Sequence, residues 1–158
     1  MVRRLRAEGL DFVGTAPVRM VFAREVSVSP ERVFQALAAD VSGWAEWFPA
    51  VRSAEPLDGG AGRDIRLLGG TRFRETVLAA KDPELYAYRV DVTNAPLVRA
   101  LVEEWRLVPA GAGTQVRWTF AADGPGPVRG ALRLARPGLG RSFRDAVSRL
   151  ERRLTTPS

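Results

Sequence analysis

One arginine, two glutamates and a tyrosine pair are the groups of this sequence best placed to do chemistry. In the run VRMVFAREVSV, Met20, Phe22, Val26 and Val28 share one face at a two-residue period, and Arg24 falls on that apolar face. Phe73, Glu75, Val77 and Ala79 share a face in the same way, as do Tyr86, Tyr88, Val90 and Val92, while Glu103 lies in a further strand-like run. A charge on an inward face costs several kcal/mol, in rough terms, unless it is paired or hydrated. Arg24 is therefore a candidate anchor for a ligand carboxylate, phenolate or enolate, and Glu75 or Glu103 a candidate acid, base or hydrogen-bond partner. Tyr86 and Tyr88 could donate hydrogen bonds to a carbonyl. The competing reading makes the charges an internal ion pair or a wetted sheet edge, and the tyrosines ordinary amphipathic packing.

The remaining composition narrows the chemistry further. The 158 residues contain no cysteine and no histidine, which removes thiolate nucleophiles, thiolate metal ligands, and the commonest general base and metal ligand. No metal and no cofactor is expected. The net charge of +6 is almost wholly arginine, since Lys81 is the only lysine. No apolar stretch reaches the roughly 18 residues of a membrane span, and Met1 to Leu10 lack the apolar segment of a signal peptide. A cytoplasmic location is the expectation, with no nucleic-acid motif and no phosphate-binding loop.

The elements that must position these groups can be read along the chain. Residues 1–17 are expected to form an N-terminal arm, and 18–158 a single domain. After the first strand, Ser29 before Pro30 marks a helix start, with Val33, Phe34, Leu37 and Ala38 at helical spacing. A second short helix carries Trp44, Trp47 and Phe48 and stops at Pro49. Strands then follow at Val51 to Leu57, Asp64 to Leu68, about Phe73 to Ala79, Tyr86 to Val92, Val98 to Val108 and Thr114 to Phe120, punctuated by Gly- and Pro-containing turns. In the last of them Val116, Trp118 and Phe120 alternate inward. A long C-terminal helix to Leu154, with Leu139, Phe143, Ala146, Val147 and Leu150 in its stripe, should kink near Pro137.

Runs of adjacent strands with one long covering helix predict an α+β fold: a curved antiparallel sheet of six to seven strands closed over an apolar cavity. The aromatic inward faces suit a flat apolar ligand, although any one of these residues could equally be plain core.

The segments Val28-Ser-Pro-Glu-Arg-Val-Phe34, Gly43-Trp-Ala-Glu-Trp-Phe-Pro49 and Gly113-Thr-Gln-Val-Arg-Trp118 give the chain from about Val18 to Leu154 a resemblance to the START-like or Bet v 1-like helix-grip superfamily (SRPBCC), in its polyketide cyclase/dehydrase and lipid transport branch. The resemblance implies a ligand cavity between sheet and C-terminal helix, with Trp44, Trp47 and Phe48 as lid or local core. The expected binding set is Phe22, Arg24, Val26, Trp44, Trp47, Phe73, Glu75, Val77, Tyr86, Tyr88, Glu103, Trp118 and Phe143, and any catalytic set would come from Arg24, Glu75, Tyr86 and Tyr88. Three functions stay open. The first is binding of a hydrophobic, aromatic or lipid-like molecule for carriage or sensing. The second is metal-free aromatase/cyclase or dehydratase chemistry on a carrier-bound polyketide, with the arginines of the C-terminal helix available to an acidic carrier protein or anionic surface. The third is an interaction or stress-response module without a ligand.

Overall fold

The structure is a computed structural model that describes residues 1–156. Its centre is an antiparallel sheet whose strands are β1 (Arg3–Arg4), β2 (Val18–Val26), β3 (Val51–Leu57), β4 (Gly62–Leu67), β5 (Arg72–Lys81), β6 (Leu85–Thr93), β7 (Ala100–Ala110) and β8 (Gly113–Asp123). Seven of them run in the order β2-β8-β7-β6-β5-β4-β3, and β1 pairs only with β6. Consecutive strands from β3 to β8 are neighbours, which is what short polar turns between alternating runs dictate. The eighth strand comes from the N-terminal arm and is too short to show a period in the sequence.

All helices but the single N-terminal turn lie on the concave side. Ser29 Oγ accepts from the Arg32 N–H and Pro30 stands in the first turn of α2 (Pro30–Phe34), so the chain turns into helix where a cap and a fixed φ coincide. A π-helical turn (Gln35–Ala39) and a 3₁₀ turn (Val41–Gly43) lead to α3 (Trp44–Trp47). Phe48 is extended, as the residue before Pro49 must be, and α3 ends there. At the C-terminus there are two helices rather than one kinked rod: α4 (Gly126–Leu134) stops at Ala135, and α5 (Arg136–Thr155) begins with Pro137 in its first turn. Proline has no N–H to continue an existing helix, but a first turn requires none. The stripe on α5 is buried at Phe143, Ala146, Val147 and Leu150, packed with α2, α3 and the inner faces of β2 and β6 to β8.

The N-terminal arm wraps both faces. Leu5 lies with Val90, Leu101 and Ala122 at one end of the inner face, with Phe73 and Phe120 against it. Phe12 and Val13, in the single turn α1 (Phe12–Thr15), cover Ala100, Val102 and Ala121. Residues 101 and 102, and likewise 121 and 122, point to opposite faces of the pleat, so the arm clasps the sheet from both sides. Its backbone is paired as well, from the Leu5 N–H to the Asp91 carbonyl at 2.8 Å and from the Arg6 N–H to the Arg99 carbonyl at 2.9 Å.

Candidate functional site

A cavity of about 250 Å³ lies between the sheet and the start of α5. Trp44 and Phe48 wall it at α3, Ile65 at β4, Phe73 at β5, Trp118 and Phe120 at β8, and Leu139 with Ser142 at α5. Apart from Ser142, its polar groups come from four adjacent strands: Arg63, Glu75, Tyr88 and Glu103. Strand pairing sets them in a row. Arg63 is opposite Glu75, and Tyr88 is opposite Glu103.

The first pair is an ion pair sealed from water. Arg63 Nε donates to Glu75 Oε1 at 2.7 Å, and each side chain is 2% exposed. Gly62 makes the approach possible: a Cβ there would stand 2.8 Å from the Glu75 carbonyl oxygen, so the residue preceding Arg63 must be the one without a side chain. The guanidinium carbon lies 3.9 Å from the centre of the Tyr88 ring and 4.4 Å from that of Trp44, an attraction between cation and ring faces that partly replaces lost hydration. Burial weighs most heavily against the Arg63 charge, but Glu75, Tyr88 and Tyr86 together outweigh it and raise the group above its ordinary value. Arg63 Nη1 is fully buried and has no hydrogen-bond partner among the described residues.

The second pair is a short hydrogen-bond chain. Trp105 Nε1 donates to the Tyr88 hydroxyl at 3.1 Å, that hydroxyl donates to Glu103 Oε1 at 2.7 Å, and Trp118 Nε1 donates to the same oxygen at 3.1 Å. Burial raises the Glu103 carboxyl, and the donors Tyr88 and Trp118 oppose the rise. Burial also lifts the Glu75 carboxyl, to about 7, with Arg63 opposing and Glu103 adding to the shift. Two carboxyls thus share one apolar chamber with one guanidinium. Full ionisation of both would leave a net negative charge there, so desolvation and mutual repulsion raise both carboxyls.

The structure brings together six residues of the expected set at the cavity: Trp44, Phe73, Glu75, Tyr88, Glu103 and Trp118. It places the others elsewhere. Arg24 lies on the concave side of β2 as its parity requires, but there it is tied to α5 and does not line the cavity: Nη1 donates to the Arg144 carbonyl at 3.0 Å and Nη2 is 3.9 Å from Glu151, with 34% of the side chain exposed. Phe22, Val26, Trp47, Val77 and Phe143 pack in or against the core behind the cavity. Tyr86 is buried beside Arg63, 5.6 Å from its guanidinium carbon, without lining the cavity, and burial raises its hydroxyl pKa. Besides Ser142 and apolar wall residues such as Ile65 and Leu139, Arg63 is the lining residue that sequence reasoning missed. Its signal was the alternation Arg63, Ile65, Leu67, obscured because the strand was begun at Asp64 after a glycine-rich turn.

With this geometry in view, comparison with other proteins is decisive for the family. Residues 17–155 match the family described as polyketide cyclase / dehydrase and lipid transport. The chain belongs to this family. An uncharacterized protein of Mycobacterium tuberculosis is 29% identical over 149 residues, covering 91% of this chain and 89% of that one. A START superfamily protein of Mycobacterium smegmatis superposes with a TM-score of 0.68 at 14% identity, over 85% of this chain and 95% of its own. DynU16, from the dynemicin biosynthetic locus, superposes with a TM-score of 0.65 at 20% identity, over 87% of this chain and 47% of that one. The fold is therefore the START-like helix grip, and hydrophobic-ligand or polyketide-related function is the general property that this membership supports. No helix among the described residues is long and apolar enough to cross a membrane.

Proposed function

We propose that the protein binds a small hydrophobic molecule with one or two fused aromatic rings, for carriage or sensing. The observation that carries this reading is the lining of the cavity: Trp44, Phe48, Phe73, Trp118 and Phe120 present ring surface, while the polar groups other than Ser142 are confined to one row. Size supports a small ligand. At about 250 Å³ the chamber is below the roughly 300 Å³ at which pockets for drug-sized ligands begin, so an extended polyketide chain would not be enclosed.

Thermal unfolding with a panel of one- to three-ring aromatic compounds tests the reading, alongside native mass spectrometry of gently purified protein. A compound present at a hundred times its Kd should stabilise by about 2.7 kcal/mol and raise Tm measurably. Absence of any stabilisation by one- and two-ring compounds would remove the proposal.

A second reading is favoured by a specific observation. Glu75 near neutrality and the chain Trp105–Tyr88–Glu103 place a proton donor and an acceptor in the same chamber, which is what cyclase or dehydratase chemistry would need. In that case Tyr88, Glu75 and Arg63 would be its polar set in place of Arg24, and the exposed arginines of α5, such as Arg141 and Arg149, would face an acidic carrier protein. Product formation that survives Glu75→Gln together with Tyr88→Phe would exclude it.

A further inference from the structure

Three connections meet at the end of the sheet that carries Leu67 and Phe73 of the cavity wall. They are the β4–β5 turn, the β6–β7 loop and the segment from β8 into α4, brought together because Phe73 pairs with Ile65 and Thr93, and Ala100 with Asp123. Asn94 stitches the first two: its Oδ1 accepts from the Arg72 N–H at 2.9 Å and its Nδ2 donates to the Gly70 carbonyl at 2.9 Å. The Arg99 N–H donates to the Asp123 carbonyl at 2.8 Å and joins the third. Each connection holds out one leucine: Leu68 is 64% exposed, Leu97 60%, and Leu134, in the last turn of α4, 85%. Leu132, on the opposite side of α4, packs instead on the cluster of Leu101 and Ala122.

Single exposed leucines are ordinary on a protein surface, but three gathered at one rim are not scattered. Leu97 is also held out against a backbone cost, with a φ of 64° that residues other than glycine seldom adopt. Arg3 clamps the loop on both sides of it, donating to the Ala95 and Val98 carbonyls at 2.5 Å each. Every one of these leucines has an exposed arginine one or two residues away: Arg66 beside Leu68, Arg99 beside Leu97, and Arg133 with Arg136 beside Leu134. None of the four makes an ion pair among the described residues, whereas the acids of this end are taken, Asp64 by Arg72 and Asp123 by Arg6 and Arg129. The rim is therefore apolar at its tips and positive between them.

We propose that this rim docks on an anionic lipid bilayer, with Leu68, Leu97 and Leu134 entering the interface and the neighbouring arginines meeting lipid phosphates. Apolar side chains gain by leaving water at the headgroup boundary, and arginine pairs with phosphate there. A second copy of the chain fits this surface badly, since it would set arginine against arginine. A protein partner would cover the leucines with one continuous packed surface, whereas tips on three separate connections suit a fluid surface that closes around each. Docking requires no ligand in the cavity, so it can fail while the binding of aromatic molecules stands, and the reverse.

Sedimentation with vesicles of phosphatidylcholine, alone or mixed equally with phosphatidylglycerol, tests the surface at low and at physiological salt. The protein should sediment with the anionic vesicles and not with phosphatidylcholine alone, and less of it as salt rises. The variant Leu68→Ser/Leu97→Asn/Leu134→Ser changes only exposed positions, and asparagine suits the φ of residue 97. It should bind the anionic vesicles roughly ten- to hundredfold more weakly. Arg66→Gln/Arg99→Gln should weaken binding about fivefold for each charge removed. A control with Val108→Ser and Arg117→Gln, towards the opposite end of the sheet, should bind as the wild type does. Failure of the wild-type protein to sediment with anionic vesicles would overturn the proposal. So would full retention of binding by the leucine variant, which would mean adhesion of a cationic protein by charge alone, or equal weakening by the control. Capture by a purified acidic carrier protein without binding to vesicles would also overturn it, in favour of a protein partner. If the leucine variant does not fold, the two vesicle types and the arginine variant set against the control still decide.

Discussion

Arg63 and Glu75 stand directly opposite one another on β4 and β5, joined at 2.7 Å with 2% of either side chain exposed. Removing one partner of such a pair costs about 3–5 kcal/mol when the other is left charged. Glu75 can escape that cost by keeping its proton, and its carboxyl is already raised to about 7.

Arg63→Met should therefore be pH-dependent in its effect. Loss of the guanidinium removes the main influence holding the Glu75 carboxyl down, so its pKa rises further in the variant. The destabilisation should be small at pH 5.5, where Glu75 is protonated in both proteins, and larger at pH 8.5. Urea unfolding at the two pH values measures it; an equal loss at both would show that Glu75 is not the group involved.

In the wild-type protein the same carboxyl makes stability fall as pH rises. The folded value near 7 exceeds the ordinary 4.5, so the native state holds more protons than the unfolded chain between those values. Stability from this group is fully present below about pH 4.5 and declines through pH 7, opposite to the behaviour of an ordinary salt-bridged carboxylate. Glu75→Gln should flatten that slope over pH 5 to 7, as followed by unfolding free energy, and an unchanged slope would assign the proton elsewhere.

Much of this site could be read from alternation, and the parts that could not have physical causes. Glu75, Tyr88 and Trp118 were found because a period of two fixes which face a side chain takes. Arg63 was hidden because Asp-Gly-Gly-Ala-Gly before it signals a turn, and a turn arginine is normally solvated; only the pairing with β5, through the close approach at Gly62, turns it inward. Arg24 failed for the converse reason. Its face was right, but alternation along a strand says nothing of which stretch of that face the helix covers, and α5 crosses at Arg24. Register shifts at Arg74/Glu75 and Val77/Ala79 add an uncertainty of face that no single-strand pattern contains, and Val77 falls behind the cavity.

The turn between β7 and β8 offers two glycines with different burdens. Gly111 has a φ of 57°, with open space around a notional Cβ, so Gly111→Ala should cost only about 1 kcal/mol of backbone strain. At Gly113 a Cβ would meet the Val26 carbonyl oxygen at 2.0 Å, inside the β2–β8 pairing. Gly113→Ala should destabilise more than Gly111→Ala, since backbone on two paired strands has to move. Thermal unfolding of the two variants side by side checks the order, and a reversal would mean that the strands separate easily there.

The N-terminal arm gives the last prediction. Leu5 is buried against Val90, Leu101 and Ala122 at the end of the chamber where Phe73 and Phe120 stand, whereas Phe12 is buried on the opposite face over Ala100, Val102 and Ala121. Leu5→Ala should cost about 2–5 kcal/mol and Phe12→Ala about 3–5 kcal/mol, so their stability losses overlap. Their effects on ligand should not. Loosening Leu5 frees the two rings that close the chamber, and should weaken binding of an aromatic probe such as 2-naphthoate; Phe12 touches only the outer face, and its truncation should leave the affinity of the folded protein unchanged. Titration of both variants below their unfolding temperatures separates the two, and equal weakening by both would mean that the arm acts on the chamber through the sheet as a whole and not through Leu5.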